Sequence, residues 1–217
     1  MFARPDTGST PISYQAPTWS ACKAMFESVA RGFFADGGTP AAFFSPARVE
    51  IMRPIRLEKY VTNYRGPLRK GSQIKKEASY QLPATVLVDV CYRVYADCLR
   101  IPGVPDSSGN APHALEQMFK RRLDEGKSKY APSLGWKEFL PNYFGPIRSN
   151  SRELDAPRLQ EGMEFVMPGF LMSMWDAPVN GVYAPIFREV MVKNGVLYFP
   201  EVRIQDDKLD FSKGQPC

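Results

Sequence analysis

The apolar positions of the chain fall into alternating helical and extended periods. Between Thr18 and Arg31, Ala21, Met25 and Val29 share one stripe with Cys22 and Phe26 beside it, the spacing of a helix with one buried face. Thr18 follows Pro17 and can cap the first free amides, so a helix is predicted over 18–31. The period then shortens, and Val49, Ile51 and Ile55 on one side of a pleat predict a strand over 47–56. The longest alternation runs from Thr85 to Tyr95: Val86, Val88, Val90, Tyr92 and Val94 against Leu87, Asp89, Cys91, Arg93 and Tyr95. It predicts one strand with an apolar and a mixed face. Helical spacing returns at Leu115, Met118, Phe119 and Leu123, with Asn110 as cap, Pro112 in the first turn and Gly126 as the stop. A short strand is predicted at Leu134–Phe139. Met163, Met167, Met172 and Met174 are scattered through and beside the apolar run Phe165–Trp175 as core filler. Ile186–Val192 and Val196–Phe199 flank Asn194-Gly195, a hairpin signal. Met1–Tyr14, Ile101–Gly109 and residues 151–162 read as loops, and the polar tail after Ile204 as frayed.

Helices separated by strands, without a G-x-G-x-x-G or P-loop pattern, argue against a nucleotide-binding α/β fold. The order suits an α+β chain of ferredoxin-like plan, an antiparallel sheet with two helices on one face, though its first strand has no counterpart. With 44% hydrophobic and 12% aromatic residues the chain can build a real core. Trp19, Phe33, Phe34, Phe43 and Phe44 either fill that core or lie at an interface.

A net charge of +5 says little by itself. Its distribution says more, because residues 53–76 hold Arg53, Arg56, Lys59, Arg65, Arg69, Lys70, Lys75 and Lys76 against Glu58 alone, with Tyr60 and Tyr64 among them. Gly66-Pro67 and Gly71 mark turns there, and Tyr60–Tyr64 has strand-forming residue types, so this stretch reads as a two-stranded finger. Cations neutralise phosphates and aromatics stack splayed bases, the two requirements for holding single-stranded RNA. The alternative is a surface finger whose tyrosines pack on the body. On the second helix Lys120, Arg121 and Arg122 form either a solvated face or a phosphate contact.

The cysteines Cys22, Cys91, Cys98 and Cys217 make no C-x-x-C pair, and His113 is the only histidine. No metal site, no cofactor and no two-histidine ribonuclease mechanism is expected. Reduced structural thiols, no signal peptide and no apolar run long enough for a bilayer suggest a cytoplasmic protein without membrane contact.

Several stretches carry a further signal: Phe2-Ala3-Arg4-Pro5; Ser13-Tyr14 with Pro17-Thr18 and the helix reaching Glu27-Ser28; and Arg53-Pro54-Ile55. Beyond them come Ala84-Thr85 with Val88-Asp89-Val90; Met118-Phe119-Lys120-Arg121-Arg122; Leu134-Gly135 with Glu138; and Val190-Met191 with Asn194-Gly195-Val196. In this order they resemble the fifth family of CRISPR-associated proteins, in particular its subtype I-C branch. The resemblance implies a ferredoxin-like, RNA-recognition-type domain over 1–150, with a β thumb at about 56–82, and a small C-terminal antiparallel β region over 151–217 packed on it. In that family the missing first strand lies just before the Phe-x-x-Pro piece, so the chain either begins downstream of the family's start or fills that place another way.

The family's function is to cap the 5′ handle of the guide RNA (crRNA) in the Cascade surveillance complex. Its members contact the backbone subunit and the large subunit, and meet target DNA only within the complex; in subtype I-C the same protein also cuts precursor RNA. The leading expectation is therefore a non-catalytic RNA-binding and assembly subunit gripping RNA through residues 53–76. The alternative is a metal-independent endoribonuclease that leaves a 2′,3′-cyclic phosphate. A basic α+β domain with another partner, including DNA, stays open. The resemblance implies a catalytic tyrosine after the first helix and a Lys-His pair opening the second. Those positions fall here on Ala30 and on Ala114-Leu115. His113 stands two places early, about 200° around a helix. An irregular first turn at Pro112 could return it, with Lys120 or Arg121 as the cation, but efficient cutting is not expected, because a lost base typically costs about 10²–10⁴-fold.

Overall fold

The computed structural model describes residues 1–8, 10–31, 33–34, 40–64, 70–106, 109–147 and 156–211. Their elements are, in order, α1 (Trp19–Val29), β1 (Phe33–Phe34), β2 (Pro40–Ile51), β3 (Leu57–Tyr64), α2 (Gly71–Lys75), β4 (Tyr80–Leu87), β5 (Tyr92–Arg100), α3 (Ala111–Asp124), β6 (Phe165–Trp175), β7 (Tyr183–Lys193), β8 (Val196–Tyr198), β9 (Val202–Gln205) and β10 (Lys208–Phe211).

Both long helices start as their capping residues dictate. The Thr18 hydroxyl accepts the Ala21 amide at 3.2 Å, and the Asn110 side-chain oxygen accepts the His113 amide at 3.3 Å. Gly126, at φ +65°, ends α3 by donating to the Leu123 carbonyl at 3.1 Å. α1 buries Trp19, Cys22, Met25 and Val29, and α3 buries Leu115.

The main sheet is antiparallel throughout, and both helices pack on β2. β5 lies along one edge of β2; β1 and β8 share the other, followed outward by β7 and β6. One row across five strands, Val94–Val49–Leu197–Val192–Phe165, points into the core. Among the described residues no strand lies along the far edge of β5, where a ferredoxin-like sheet would carry its first strand. The α+β, ferredoxin-like reading holds, with β6, β7 and β8 of the C-terminal region continuing the same sheet and β9 and β10 paired apart from it. Asn194 and Gly195, at φ +50° and +75°, form the β7–β8 turn that their sequence predicts.

Several boundaries differ from the sequence reading. The strand expected at 47–56 begins at Pro40 and ends at Ile51, leaving Ile55 outside it. The single strand expected over 85–95 is two strands in different sheets. Asp89 turns the chain at φ +51°, while Val88 donates to the Arg56 carbonyl and Met52 to the Cys91 carbonyl, so the alternation runs through a corner. Leu134–Phe139 is a tight loop closed by the Leu134 amide on the Phe139 carbonyl at 2.8 Å. Gly135 is required there, because a Cβ would sit 1.9 Å from the Met1 carbonyl oxygen.

The tail after Ile204 is not frayed over its described part: β9 and β10 form a hairpin through Asp206 and Asp207, both at positive φ. Phe211 is buried edge-on against Trp19, their ring centres 5.2 Å apart. Trp19, Phe43 and Phe44 are core residues. The N-terminal segment is irregular but anchored. Tyr14 donates its hydroxyl to the Gly169 carbonyl at 2.8 Å and accepts the Leu171 amide at 3.1 Å, fastening it to the bulged strand β6.

Candidate nucleic-acid interface

β3 and β4 pair antiparallel into a two-stranded ribbon separate from the main sheet, in register from Leu57↔Leu87 to Tyr64↔Tyr80. This is the finger expected from the sequence, with the short helix α2 following its far end. The ribbon has two unlike faces, because side chains alternate across a strand. Leu57, Lys59, Val61 and Asn63 are exposed on one face. On the other, Glu58, Tyr60 and Thr62 pair with Val86, Ala84 and Leu82, and Val86 and Ala84 are buried.

Tyr60 consequently faces the body. Its ring meets Phe139 edge-on with centres 5.6 Å apart, within an apolar group that includes Met1, Ala84, Val86 and Trp136. Of the two tyrosines expected to stack bases, Tyr60 is held by the protein itself. Tyr64 pairs with Tyr80 at the far end of the ribbon.

The cations distribute as follows. Arg53 and Arg56 stand at the foot of the ribbon, both against the Asp89 carboxylate, at 2.8 and 3.8 Å. Lys59 is exposed on the outward face, and Lys70, Lys75 and Lys76 are exposed on and beside α2. Arg65 and Arg69 lie outside the described residues, as does Cys217. Asp89 is distant in sequence from most of the basic cluster; only the corner between β4 and β5 brings it there.

On α3, His113 and Arg121 are exposed, Lys120 is exposed and paired with Glu116, and Arg122 donates to the Val29 carbonyl at 2.7 Å. The first three therefore share an accessible helix, whereas Arg122 ties α3 to the end of α1. Of the positions to which the resemblance aligns the family's catalytic residues, Ala30 and Leu115 belong to the apolar interior and Ala114 is half-buried. Ala30 and Leu115 are fully buried in one cluster with Ala41, Ala42, Phe44 and Ala111. Phe26, Phe44 and Phe119 close that cluster in a three-ring contact with centres 5.2–5.3 Å apart. No ionisable side chain occupies Ala30, Ala114 or Leu115. Among the described residues no group of three or more His, Cys, Asp or Glu side chains could hold a metal, and no helix is long and apolar enough to cross a membrane.

Burial raises all three described thiols: Cys22 strongly, Cys98 to about 12, and Cys91 less, since the Arg53 and Arg93 guanidiniums oppose the effect. They lack the low-pKa character of catalytic cysteines. Sequence reasoning missed a different group, Arg48, Tyr95 and Tyr198, which three strands bring together on the side of the sheet away from the helices.

This arrangement of sheet, helices and thumb defines a ferredoxin-like protein with an appended basic ribbon. The same fold occurs in a crystal structure of a CRISPR-associated protein, with a TM-score of 0.60 and 18% identity, covering 88% of this chain and 83% of that one. It also occurs in a functionally uncharacterized protein from Streptococcus mutans, with a TM-score of 0.60 and 18% identity, covering 93% of this chain and 87% of that one. In sequence the chain is 29% identical over 216 residues to the CRISPR pre-crRNA endoribonuclease Cas5d of Thermus thermophilus, covering 94% of this chain and 89% of the relative. No family model matches the chain. The chain is thus similar in sequence to a Cas5d protein and shares its fold with a CRISPR-associated protein.

Proposed function

We propose that the chain is a guide-RNA-binding subunit of a CRISPR surveillance complex. Its thumb grips the 5′ handle of the crRNA, and its body joins the backbone subunit to the large subunit. The observation that carries this reading is the separate ribbon β3–β4, which projects Lys59 outward and leads to exposed Lys70, Lys75 and Lys76. Cations at the end of a projecting element follow a phosphate backbone with little regard to sequence. Arg53 and Arg56 form the foot of the grip, Tyr64, Arg65 and Arg69 are further RNA contacts in this reading, and target DNA is met only through the assembled complex.

A second reading is favoured by the activity named for the Thermus relative, cleavage of pre-crRNA. Here the 2′-OH of the RNA, deprotonated by exposed His113, would attack the adjacent phosphate and break its bond to the 5′-oxygen, which takes a proton from water, with Lys120 or Arg121 stabilising the developing charge. The apolar filling of the aligned catalytic positions weighs against it, and we place binding first. The two readings separate in one experiment. The protein is purified with its genomic neighbours, bound small RNA is sequenced, and the protein alone is incubated with its repeat RNA in EDTA. A discrete co-purifying RNA and an intact repeat support the binding subunit. Specific cleavage leaving a 2′,3′-cyclic phosphate, abolished in His113→Ala, establishes the nuclease.

A further inference from the structure

The side of the sheet opposite the helices carries a second cationic and aromatic surface, unrelated to the thumb in sequence. Arg48 on β2 is paired directly with Tyr95 on β5 and, across its other edge, with Tyr198 on β8. Directly opposed residues of antiparallel strands point to the same side, so the three form one row. The neighbouring row runs Arg93–Glu50–Val196–Lys193 on the same side. Between these rows, Val94, Val49 and Leu197 point the other way, into the core. Phe44 and Cys98 also point that way and meet α1 and α3, which places the helices on the opposite side from Arg48.

The surface is arranged rather than incidental. The Arg48 guanidinium carbon lies 4.1 Å from the centre of the Tyr95 ring, so the tyrosine holds the cation flat on the sheet. Glu50 stands between two guanidiniums, 3.7 Å from Arg48 and 3.7 Å from Arg93, leaving three cations against one acid in the two rows once Lys193 is included. The Arg48 Nε has no hydrogen-bond partner. Beside it the Tyr198 ring is 59% exposed. Tyr198 and Lys193 also line a shallow cavity of about 560 Å³ with Leu159, Glu161, Asn194 and Val196. An exposed ring next to a positioned guanidinium complements an unpaired base and its phosphate.

We propose that this face is a second single-stranded RNA contact, in which a base stacks on Tyr198 and the adjoining phosphate is held by Arg48. The proposal rests on the reading that the chain binds guide RNA, and adds to it a surface that acts independently of the thumb. Stacking loss is largely insensitive to salt, whereas loss of a phosphate contact lowers the salt slope by about 0.7 for single strands.

The test measures binding of the full chain to fluorescein-labelled repeat-derived single-stranded RNA across a salt series, for the parent, Tyr198→Ala, Tyr198→Phe, Arg48→Ala and a Lys70→Ala/Lys75→Ala thumb variant. Tyr198→Ala is expected to weaken binding about tenfold at an unchanged salt slope. Tyr198→Phe, which keeps the ring, should bind like the parent, and Arg48→Ala should bind more weakly with a lower slope. Combined with the thumb variant, each effect should add, as for distant sites. If the thumb variant loses affinity while Tyr198→Ala and Arg48→Ala bind like the parent, the sheet proposal is overturned and the thumb reading stands. If those two variants lose only assembly with partner subunits, the face is a protein contact and the proposal is equally overturned. A parent that binds no RNA overturns both readings together.

Discussion

The Asp89 carboxylate lies 2.8 Å from the Arg53 guanidinium and 3.8 Å from that of Arg56, so one acid at the corner between β4 and β5 faces both cations at the foot of the thumb. It orients them and offsets part of their charge. Asp89→Asn keeps a side chain suited to positive φ while removing that charge. The variant is expected to bind single-stranded RNA several-fold more tightly at low salt, with a steeper salt dependence. Fluorescence anisotropy across a salt series checks this; weaker binding would mean that Asp89 acts by holding the arginines in place.

The exposed lysines of the thumb are expected to act as phosphate contacts. Replacing Lys59, Lys70, Lys75 and Lys76 by alanine should weaken binding to all single-stranded RNA sequences alike and lower the salt slope by up to about 3, at roughly 0.7 per contact. Melting temperature should hardly change, since these side chains are exposed.

Tyr60 should behave in the opposite way. Its ring is packed on Phe139, so Tyr60→Ala is expected to destabilise the fold by about 1–2 kcal/mol. RNA affinity, measured where the variant is still folded, should be nearly unchanged. Urea unfolding beside RNA binding distinguishes this from base stacking, which would shift affinity alone.

The thiols give a pH-dependent prediction. Burial raises the Cys98 thiol to about 12, so at pH 8 only about one in ten thousand is ionised. Of the three described thiols, Cys91, raised less, should be alkylated first in the native protein, with Cys22 and Cys98 protected until unfolding. A folded-state pKa above the unfolded value means that the contribution of Cys98 to stability is fully present below about pH 8.5 and is lost as pH rises toward 12. Peptide mapping after timed alkylation at two pH values reads the order of labelling.

Local chemistry was the legible part of the fold. Thr18, Asn110 and Gly126 mark helix ends, and Asn194-Gly195 marks a turn, because each satisfies backbone groups or dihedrals within a few residues. What escaped the sequence depends on contacts between distant segments. The alternation from Val86 to Val94 conceals a corner because both strands need alternation, while the turn at Asp89 is held by Met52, Arg53 and Arg56. Asp206-Asp207 reads as a polar tail until Phe211 is seen buried against Trp19.

The site divides in the same way. The thumb is visible as a run of cations, but the inward direction of Tyr60 depends on Phe139, and the row Tyr95–Arg48–Tyr198 depends on three strands widely separated in the chain. The apolar cluster around Ala30 and Leu115 is legible only as the absence of the residues that a nuclease would place there.

The central claim is that the chain recognises the 5′ handle of the guide RNA through its thumb. The most direct measurement compares the dissociation constants of the full chain for crRNA with an intact 5′ handle and for the same RNA lacking it, in parent and thumb-lysine variant, at one fixed salt concentration. The account predicts that removing the handle weakens binding to the parent by about tenfold or more, equivalent to about 1.4 kcal/mol. The thumb variant should bind both RNAs with the same low affinity. Equal affinity of the parent for both RNAs, or a thumb variant that still discriminates between them, would contradict it.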